Sequence, residues 1–389
     1  MSLASLIREW RSLFRFRSLS PEARSIVFYA EDAGSWRYFE PIISTLTNTY
    51  AKDVCYITSS RTDPVLEKSD SPIQSFCIGF GAARTNFFSF LQAKLIVMTM
   101  PDLGTYHIKR SNYPVQYIYV YHSIVSSHMA YRRGAFDNFD QIFCVGPHHK
   151  EEIRATEELY GLKPKALLDG GYVILDSILR ADHSLESAPV KGSKRILIAP
   201  SWGEQGLIET CGPDMVEILL EAGYRVTVRP HIMTIRQRHP ALVQIRERFE
   251  SNSNFRLDLE LASQGTVSES DIMISDWSGA AIEYALGLEK PVIFVDVPRK
   301  VHNPDYEDIS QVPIEVMLRQ EVGEVISPDD LLDIPAAVER LCKNPEAWNL
   351  RLRGLRSQWI YNIGKSAETM AEHIAKVSES AESNIKEAL

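Results

Sequence analysis

The sequence predicts an α/β fold of two doubly wound domains that face each other across a cleft. Short apolar runs alternate with helical segments along the chain, which is typical of parallel sheets with helical crossovers. A polar segment at 181–194 interrupts this alternation, and the pattern then restarts. The 389 residues are also too many for one average core. We therefore expect domains at 1–185 and 190–389, with the binding loops at the carboxyl ends of the strands.

The predicted elements follow the apolar runs. In the first half we expect strands at 25–30, 54–58, 75–78, 95–98, 117–121 and 141–145, with a helix at 36–46. In the second half we expect strands at 195–199, 225–228, 271–274 and 292–295, with a helix at 214–222. Two helices near the end, at 345–360 and 366–379, are expected to pack back across both domains.

Composition excludes several classes of protein. A formal net charge of -9 argues against nucleic-acid binding, which favours a basic surplus. The five cysteines are scattered without a Cys-x-x-Cys pair, a pattern that indicates free thiols in a reducing compartment rather than a zinc framework. No run of 18 apolar residues and no signal peptide is evident. The expected location is the cytoplasm.

The segment at 3–17 differs from this plain background. Apolar residues, among them Trp10 and Phe14, recur at helical spacing, and four arginines share the segment. A basic amphipathic helix of this kind is typical of contact with an anionic membrane surface. The sequence thus predicts a peripheral position on the inner face of the cell membrane. The alternative is a terminal helix that packs its apolar face on the domain.

The region 271–296 reads as strand, turn, helix and strand, and its turn contains Ser275, Asp276, Ser278 and Gly279. A polar turn between a strand and a helix presents backbone N–H groups and hydroxyls to an anion, usually a phosphate. Glu283, within the helix, is placed to reach a ribose hydroxyl. The turn therefore predicts a site for a nucleotide-linked donor. The alternative is an ordinary Asp or Ser helix cap.

His122 directly follows the strand at 117–121. A histidine at that position is well placed to act as a general base, because its pKa lies near working pH. His128 lies six residues further on, and the arginine pair at 132–133 adds charge that could steer phosphate. The alternative for either histidine is a satisfied structural role.

Two further strand ends carry candidate residues. Arg229 and His231 follow the strand at 225–228, a combination that suits a phosphate or pyrophosphate. Ser201, Trp202 and Gly203 follow the strand at 195–199, where the glycine allows close backbone approach and the indole could stack on a base. The alternatives are an arginine at a sheet edge, a turn histidine and a core tryptophan.

We predict no metal and no cofactor. His148 and His149 are adjacent, so their side chains diverge, and no carboxylate or cysteine lies at ligand spacing. The sequence also lacks a Gly-x-Gly-x-x-Gly or Walker-type loop, which leaves NAD binding and ATP hydrolysis unsupported.

In their order, these motifs resemble the CDP-glycerol glycerophosphotransferase family, whose members build teichoic acids and related capsule polymers. The resemblance covers roughly residues 95–365. The family's Trp-His-Gly-Thr-type loop corresponds to Tyr-His-Ser-Ile at 121–124, and its second histidine motif to Arg-Pro-His at 229–231. Its Ser-Asp-x-Ser-Ser…Glu-Tyr signature corresponds to Ser-Asp-Trp-Ser-Gly at 275–279 with Glu-Tyr at 283–284. The segments 135–140 and 170–176 also resemble the family's.

The resemblance implies two Rossmann-like domains of the GT-B type. It also implies transfer of a polyol phosphate from a CDP-linked donor to a hydroxyl of a lipid-linked or polymeric acceptor, with release of CMP. His122 would be the base and His231 a contact of the donor phosphate, with Ser275, Ser278 and Glu283 around the donor. Because the sequence departs from the family pattern at 123, 124 and 279, the donor stays open among glycerol phosphate, ribitol phosphate and a sugar.

Two other functions fit the same scaffold. One is a GT-B glycosyltransferase or UDP-sugar 2-epimerase, which would prefer uridine nucleotides. The other is a catalytically idle partner in an envelope-polymer complex, which would bind no nucleotide.

Overall fold

The computed structural model describes residues 3–68, 72–105, 108–182, 193–259 and 265–386. The chain forms two compact units, each built around a parallel sheet. The first unit comprises Met1–His122, Tyr131–Ile174 and Ile360–Leu389, and the second comprises Ser123–Ala130 and Leu175–Trp359. The predicted α/β class with two Rossmann-like domains is confirmed.

The first unit contains a seven-stranded sheet in the order β3-β2-β1-β4-β5-β6-β7, with every pair parallel. Its strands are β1 (Ile26–Ala30), β2 (Val54–Thr58), β3 (Ile73–Cys77), β4 (Leu95–Met98), β5 (Gln116–Val120), β6 (Gln141–Cys144) and β7 (Ala166–Asp169). Its helices are α1 (Leu3–Arg17), α2 (Trp36–Asn48), α3 (Ala82–Ser89) and α4 (Pro147–Tyr160), while α5 (Val173–Asp182) leads into the second unit. Central strands such as β1 and β4 are buried at every residue, which explains their continuous apolar sequence.

The second unit contains a six-stranded sheet in the order β10-β9-β8-β11-β12-β13, again parallel throughout. Its strands are β8 (Arg195–Ile198), β9 (Arg225–Val228), β10 (Phe255–Leu257), β11 (Ile272–Ser275), β12 (Val292–Val295) and β13 (Gly323–Ile326). Its helices are α6 (Leu207–Glu221), α7 (Ile232–Gln237), α8 (Pro240–Phe249), α9 (Gly265–Glu269), α10 (Gly279–Leu288), α11 (Ile314–Met317), α12 (Arg319–Val322), α13 (Ile334–Leu341) and α14 (Pro345–Trp359).

Both sheets reverse their strand order at one point, between β1 and β4 in the first unit and between β8 and β11 in the second. In doubly wound sheets, ligands bind beyond the carboxyl ends of the strands at such a switch point. The loops that follow β8 and β11 therefore define where a ligand of the second unit is expected.

The compact units differ from the predicted ranges 1–185 and 190–389 in three places. The main boundary lies between Ile174 and Leu175, so most of α5 belongs to the second unit. The segment Ser123–Ala130 belongs to the second unit, where the Ser126 N–H and hydroxyl donate to the buried Glu315 carboxylate at 2.9 and 2.8 Å. The last helix, α15 (Ser366–Lys386), belongs to the first unit and packs on α2. There Lys94 Nζ donates to the Ser378 carbonyl at 2.7 Å. The linker expected at 181–194 falls largely outside the described residues.

Within the residues that the model describes, no helix combines the length and the apolar character needed to cross a membrane.

Candidate functional site

The candidate residues of the second unit come from three strand ends of one sheet. The loop after β8 carries Ser201, Trp202 and Gly203, and the segment after β9 carries Arg229 and His231. The end of β11 and the start of α10 carry the remaining set, which is Ser275, Asp276, Ser278, Gly279 and Glu283. Because β9, β8 and β11 are neighbours in the sheet, these loops line one edge.

Ser275 and Asp276 are buried and hold the loop after β8. The Ser275 hydroxyl donates to the Ala199 carbonyl at 2.8 Å. The Asp276 carboxylate accepts from the backbone N–H groups of Ser201 at 2.7 Å and of Leu207 at 3.1 Å. Leu207 is the first residue of α6, so the carboxylate also caps that helix. These two side chains thus support the loop, and their contribution to a ligand site is indirect.

Ser278 and Gly279 form the start of α10. Ser278 is the N-cap residue, and its hydroxyl accepts from the Ala280 N–H at 3.3 Å. Glu283 lies one turn into the same helix and is half-buried. Backbone N–H groups at the start of a helix attract anions, and this element is where the sequence predicts the donor phosphate.

Gly279 lies against Ser123, within the same unit. A Cβ atom added at 279 would stand 2.6 Å from Ser123 Oγ and 3.2 Å from Val125 Cγ1. Two of the departures from the family pattern noted above are therefore neighbours: serine stands at 123 where the pattern has glycine, and glycine at 279 where serine is common. The Ser123 hydroxyl occupies the space that a serine side chain at position 279 would need.

His231 is the N-cap residue of α7. Its Nδ1 accepts from the Met233 N–H at 3.1 Å, so Nδ1 carries no proton and Nε2 is the N–H donor of the neutral ring. Burial and, next, the charge of Lys300 lower the pKa of His231 to about 4. The ring stacks on Trp202, with centroids 6.0 Å apart. His231 is thus suited to donate a hydrogen bond rather than to supply charge.

Gly203 adopts a φ of +142°, a region that favours glycine, and a Cβ there would meet nothing within 4 Å. The backbone after Trp202 is therefore open to a ligand. Arg229 is half-buried, and its N–H continues the pairing of β9 with β8 by donating to the Ile198 carbonyl at 2.8 Å. This pairing holds the start of the Arg229–His231 segment beside the loop after β8.

The sequence analysis missed two charged residues of this loop cluster. Lys300, in the loop after β12, places its ammonium 4.1 Å from the centroid of the Trp202 ring. Glu209, in the first turn of α6, accepts from the Thr234 hydroxyl at 3.2 Å. Desolvation raises the pKa of Glu209. The rule that strand ends carry sites would have identified Lys300, because it lies five residues beyond β12.

The loop after β12 also lines a cavity of about 380 Å³. Trp277 forms one wall, and its indole N–H donates to the Val297 carbonyl at 2.8 Å. The Arg319 guanidinium lies 3.8 Å from the Trp277 ring centroid and pairs with Asp296 at 2.7 Å. Trp277 is therefore part of the architecture of the sheet edge beside the start of α10.

His122 lies in the first unit, directly after β5. Its Nδ1 is 2.8 Å from the Thr99 carbonyl oxygen, which can only accept, so Nδ1 carries the proton and Nε2 holds the lone pair. The Tyr119 hydroxyl lies 3.2 Å from the same nitrogen. Burial lowers the pKa of His122 from its ordinary 6.5, and the bond to Thr99 opposes this shift in part. The ring is thus held neutral with Nε2 able to accept a proton.

The switch point of the first unit carries charged groups after β1 and β4. Desolvation raises the pKa of Glu31, after β1, and the charge of Arg84 opposes the shift. Desolvation also raises the pKa of Asp102, after β4, which pairs with Arg132 at 2.5 Å. Carboxylates at a switch point are suited to polar ligands such as hydroxyl groups. None of these acids was identified from the sequence.

Other predicted candidates have structural contacts. His128 is buried, and its Nε2 is 3.0 Å from the Gln311 carbonyl oxygen. Arg133 covers the Tyr160 ring at 3.9 Å. His149, in the first turn of α4, stacks on Tyr121 with ring centroids 3.7 Å apart.

The family model described as CDP-glycerol:poly(glycerophosphate) glycerophosphotransferase matches residues 79–308, more than half of the chain. The match includes His122 and all the donor-site residues that the sequence predicts. No curated protein matches the sequence.

Solved structures share the fold at low sequence identity. The wall teichoic acid polymerase TagF is 14% identical with a TM-score of 0.60, and the alignment covers 97% of this chain and 95% of TagF. A putative UDP-N-acetylglucosamine 2-epimerase from Listeria monocytogenes is 14% identical, with a TM-score of 0.57 over 89% of this chain and 94% of its own. The UDP-GlcNAc 2-epimerase of Methanocaldococcus jannaschii is 12% identical with a TM-score of 0.53, and the alignment covers 90% of this chain and 99% of the epimerase.

The Ser123–Gly279 neighbourhood makes a testable prediction. G279S should lower the free energy of unfolding by about 1–3 kcal/mol, because the new side chain overpacks the contact with Ser123. S123G in the G279S background should recover most of that loss. Urea denaturation of the four proteins of this cycle measures the coupling.

The matched control is G354S, since a Cβ at Gly354 would meet nothing within 4 Å. This variant should unfold no more easily than the parent. Equal losses for G279S with and without S123G would show that the two positions are independent.

Proposed function

Because the chain belongs to the CDP-glycerol:poly(glycerophosphate) glycerophosphotransferase family, we propose that it transfers a polyol phosphate from a CDP-linked donor to an acceptor hydroxyl and releases CMP. The acceptor is a cell-envelope polymer or a lipid-linked glycan, by analogy with TagF, a wall teichoic acid polymerase. The supporting observation is His122, whose Nδ1 bond to the Thr99 carbonyl leaves Nε2 as the basic nitrogen.

In the proposed reaction, the acceptor hydroxyl oxygen attacks the β-phosphorus of the donor. A new P–O bond forms, while the bond from that phosphorus to the bridging oxygen breaks and leaves its electron pair on CMP. Nε2 of His122 takes the hydroxyl proton, so charge and atoms balance. The lowered pKa of His122 supports this role, because the ring is then neutral at pH 7.

The second unit is the proposed donor site. The start of α10, with Ser278 and Gly279, would bind the diphosphate, and Glu283 would bind the ribose. Arg229 and the Nε2–H of His231 would contact the departing phosphate, where hydrogen bonds that strengthen as charge develops accelerate the reaction. The loop of Ser201, Trp202 and Gly203 would close the site from the side of β8.

A nucleotide-sugar enzyme is the alternative. The two epimerases share the fold with this chain at 12–14% identity. The family match does not support their chemistry. A thermal-shift panel of CMP, CDP-glycerol, CDP-ribitol, UDP and UDP-sugars separates the two functions. We expect stabilisation by the cytidine compounds, about 2.7 kcal/mol at a hundred times the dissociation constant. Stabilisation by uridine compounds alone would overturn the proposal, and no stabilisation would indicate a binding protein.

Removal of the basic nitrogen should abolish turnover without loss of donor binding. H122N should lower kcat by roughly 10²- to 10⁴-fold, because general-base assistance is lost. Release of CMP from CDP-glycerol with an acceptor measures turnover, and calorimetry measures donor affinity. The control H302N changes an exposed histidine of the second unit and should keep full activity. Normal turnover by H122N would remove His122 from the mechanism.

The wild-type pH profile gives an independent readout of the same base. His122 must be neutral to accept a proton, so activity falls only as pH drops through its pKa. Because burial lowers that pKa, the acid limb of kcat/KM should lie below pH 6.5. An acid limb above pH 6.5 would contradict the assignment.

We also propose that α1 rests on an anionic membrane surface. One face of the helix is buried, with Leu13 and Phe16 almost inaccessible to solvent. Ile7 and Phe14 lie one helical repeat apart on another face and are 48% and 59% exposed. The helix therefore packs on its unit through one face and keeps a second apolar face outside.

The positive charge of α1 supports an anionic membrane as the surface that it contacts. Arg8, Arg11 and Arg15 are all exposed and follow Ile7 and Phe14 by one to four positions, which places them beside the outer apolar face. A helix that presents aromatic and apolar side chains next to arginines suits the boundary between acidic headgroups and acyl chains.

The variant I7E/F14E should reduce binding to phosphatidylglycerol vesicles by at least about tenfold, since two apolar anchors are replaced by acids. Co-sedimentation with the full-length protein measures the effect. The matched control L332E/L350E replaces two leucines of the second unit that are 81% and 77% exposed, and its binding should be unchanged. Equal binding by both variants, or by the wild type to uncharged vesicles, would contradict the proposal.

A further inference from the structure

Lys300 stands where three strand ends of the second unit converge. It lies in the loop after β12, with its ammonium 4.1 Å from the centroid of the Trp202 ring. Trp202 belongs to the loop after β8 and stacks on His231, which follows β9, at an interplanar angle of 22°. A cation, an indole and an imidazole from three separate loops thus form a layered group at the sheet edge that carries the predicted donor residues.

The ammonium of Lys300 has no hydrogen bond or ion pair among the described residues. Two carboxylates influence it electrostatically, those of Asp276 and Glu209. Asp276 is already engaged by the Ser201 and Leu207 N–H groups, and Glu209 accepts from Thr234. A half-buried ammonium with three N–H donors and only an aromatic face for contact is costly unless an anion arrives.

The aromatic face explains how the cation is held in that position. A lysine ammonium over an indole gains about 0.5–2 kcal/mol, depending on how far it is desolvated. This contact fixes the flexible lysine stem without using any of its hydrogen-bond donors. Lys300 is therefore oriented in advance and still able to donate to a ligand.

We propose that Lys300 binds the diphosphate of the nucleotide-linked donor and neutralises the negative charge that grows on the leaving phosphate. This inference rests on the proposed function. It adds to the proposed donor site a positive charge that is not part of any of the sequence motifs. Arg229 is a further cation at that edge, while the ring of His231 is neutral. Lys300 thus supplies a formal positive charge beside the loop after β8.

The binding should depend on pH in the alkaline range. Desolvation lowers the pKa of Lys300 to about 8, with Asp276 and Glu209 opposing the shift; His231 is the other titratable group that faces it. The charged form attracts the donor, so this contribution is complete below pH 8 and is lost as pH rises through 8. A bound anion raises the pKa of the lysine, so binding at high pH takes up a proton.

The test measures the dissociation constants of CMP, CDP-glycerol and UDP-GlcNAc by calorimetry at pH 7 and pH 9. K300M should weaken binding of the cognate diphosphate by roughly 10- to 100-fold at pH 7. Wild-type affinity should fall by up to about tenfold between pH 7 and pH 9, since one group with a pKa of about 8 titrates. K300R should bind with little change over that range, because arginine stays protonated.

The matched control is K343M, which removes the same charge from an exposed lysine just beyond α13. K343M should bind like the wild type, and thermal unfolding of all variants verifies that they fold. Equal binding by K300M and wild type would overturn the role of Lys300 while the proposed function stands.

Two outcomes separate this inference from the proposed function. If the wild type binds only UDP-GlcNAc and K300M loses that binding, the role of Lys300 is upheld and polyol-phosphate transfer is overturned. If the wild type binds none of the three nucleotides at either pH, both are overturned.

Discussion

The candidate site of the second unit depends on one buried carboxylate. Asp276 lies at the switch point of the second sheet, and its two oxygens accept from backbone N–H groups at both ends of the loop after β8. That loop carries Trp202, and Trp202 in turn contacts His231 and Lys300. Without the carboxylate, two buried N–H groups would lose their acceptor, at a cost of about 1–3 kcal/mol each. Trp202, and with it the contacts to His231 and Lys300, would then no longer be held in position.

The same constraint explains why the signature at 275–279 combines different tasks. Ser275 and Asp276 point into the protein and fix the loop, whereas Ser278 and Gly279 begin α10 and remain closer to solvent. β11 ends at the switch point, so the residues after it both support the neighbouring loop after β8 and border the expected ligand position. The motif is therefore recognisable in sequence because architecture and ligand contact use adjacent positions.

Much of the fold followed from the sequence, since buried parallel strands read as apolar runs and the restart of the pattern after 181–194 was visible. The candidate residues at strand ends were predictable for the same reason. The sequence analysis expected the last two helices to pack back across both domains, but it did not predict that α15 belongs to the first unit. The apolar pattern of an amphipathic helix does not show which surface the helix packs against. The place of Ser123–Ala130 in the second unit was missed, since it depends on the bond between Ser126 and the distant Glu315.

Lys300 was missed for a different physical reason. A lysine in a loop is usually solvated, and only the ring of Trp202, about a hundred residues earlier in the chain, gives it a defined position. The position of Lys300 after β12 marks a strand end in the sequence, but its burial and its charge partners arise from tertiary structure and leave no local pattern. The acids Glu31 and Asp102 escaped notice similarly, because their raised pKa values result from desolvation at the first switch point.

The two histidines of the family motifs show how backbone contacts divide chemical roles between identical side chains. His122 donates from Nδ1 to a carbonyl, which leaves Nε2 to accept a proton, whereas His231 accepts at Nδ1 from an N–H, which leaves Nε2 to donate. Burial lowers the pKa of both rings, so neither brings a positive charge at neutral pH. A site that must stabilise a diphosphate then needs its charge from other residues, and lysine and arginine at the neighbouring strand ends are the groups available.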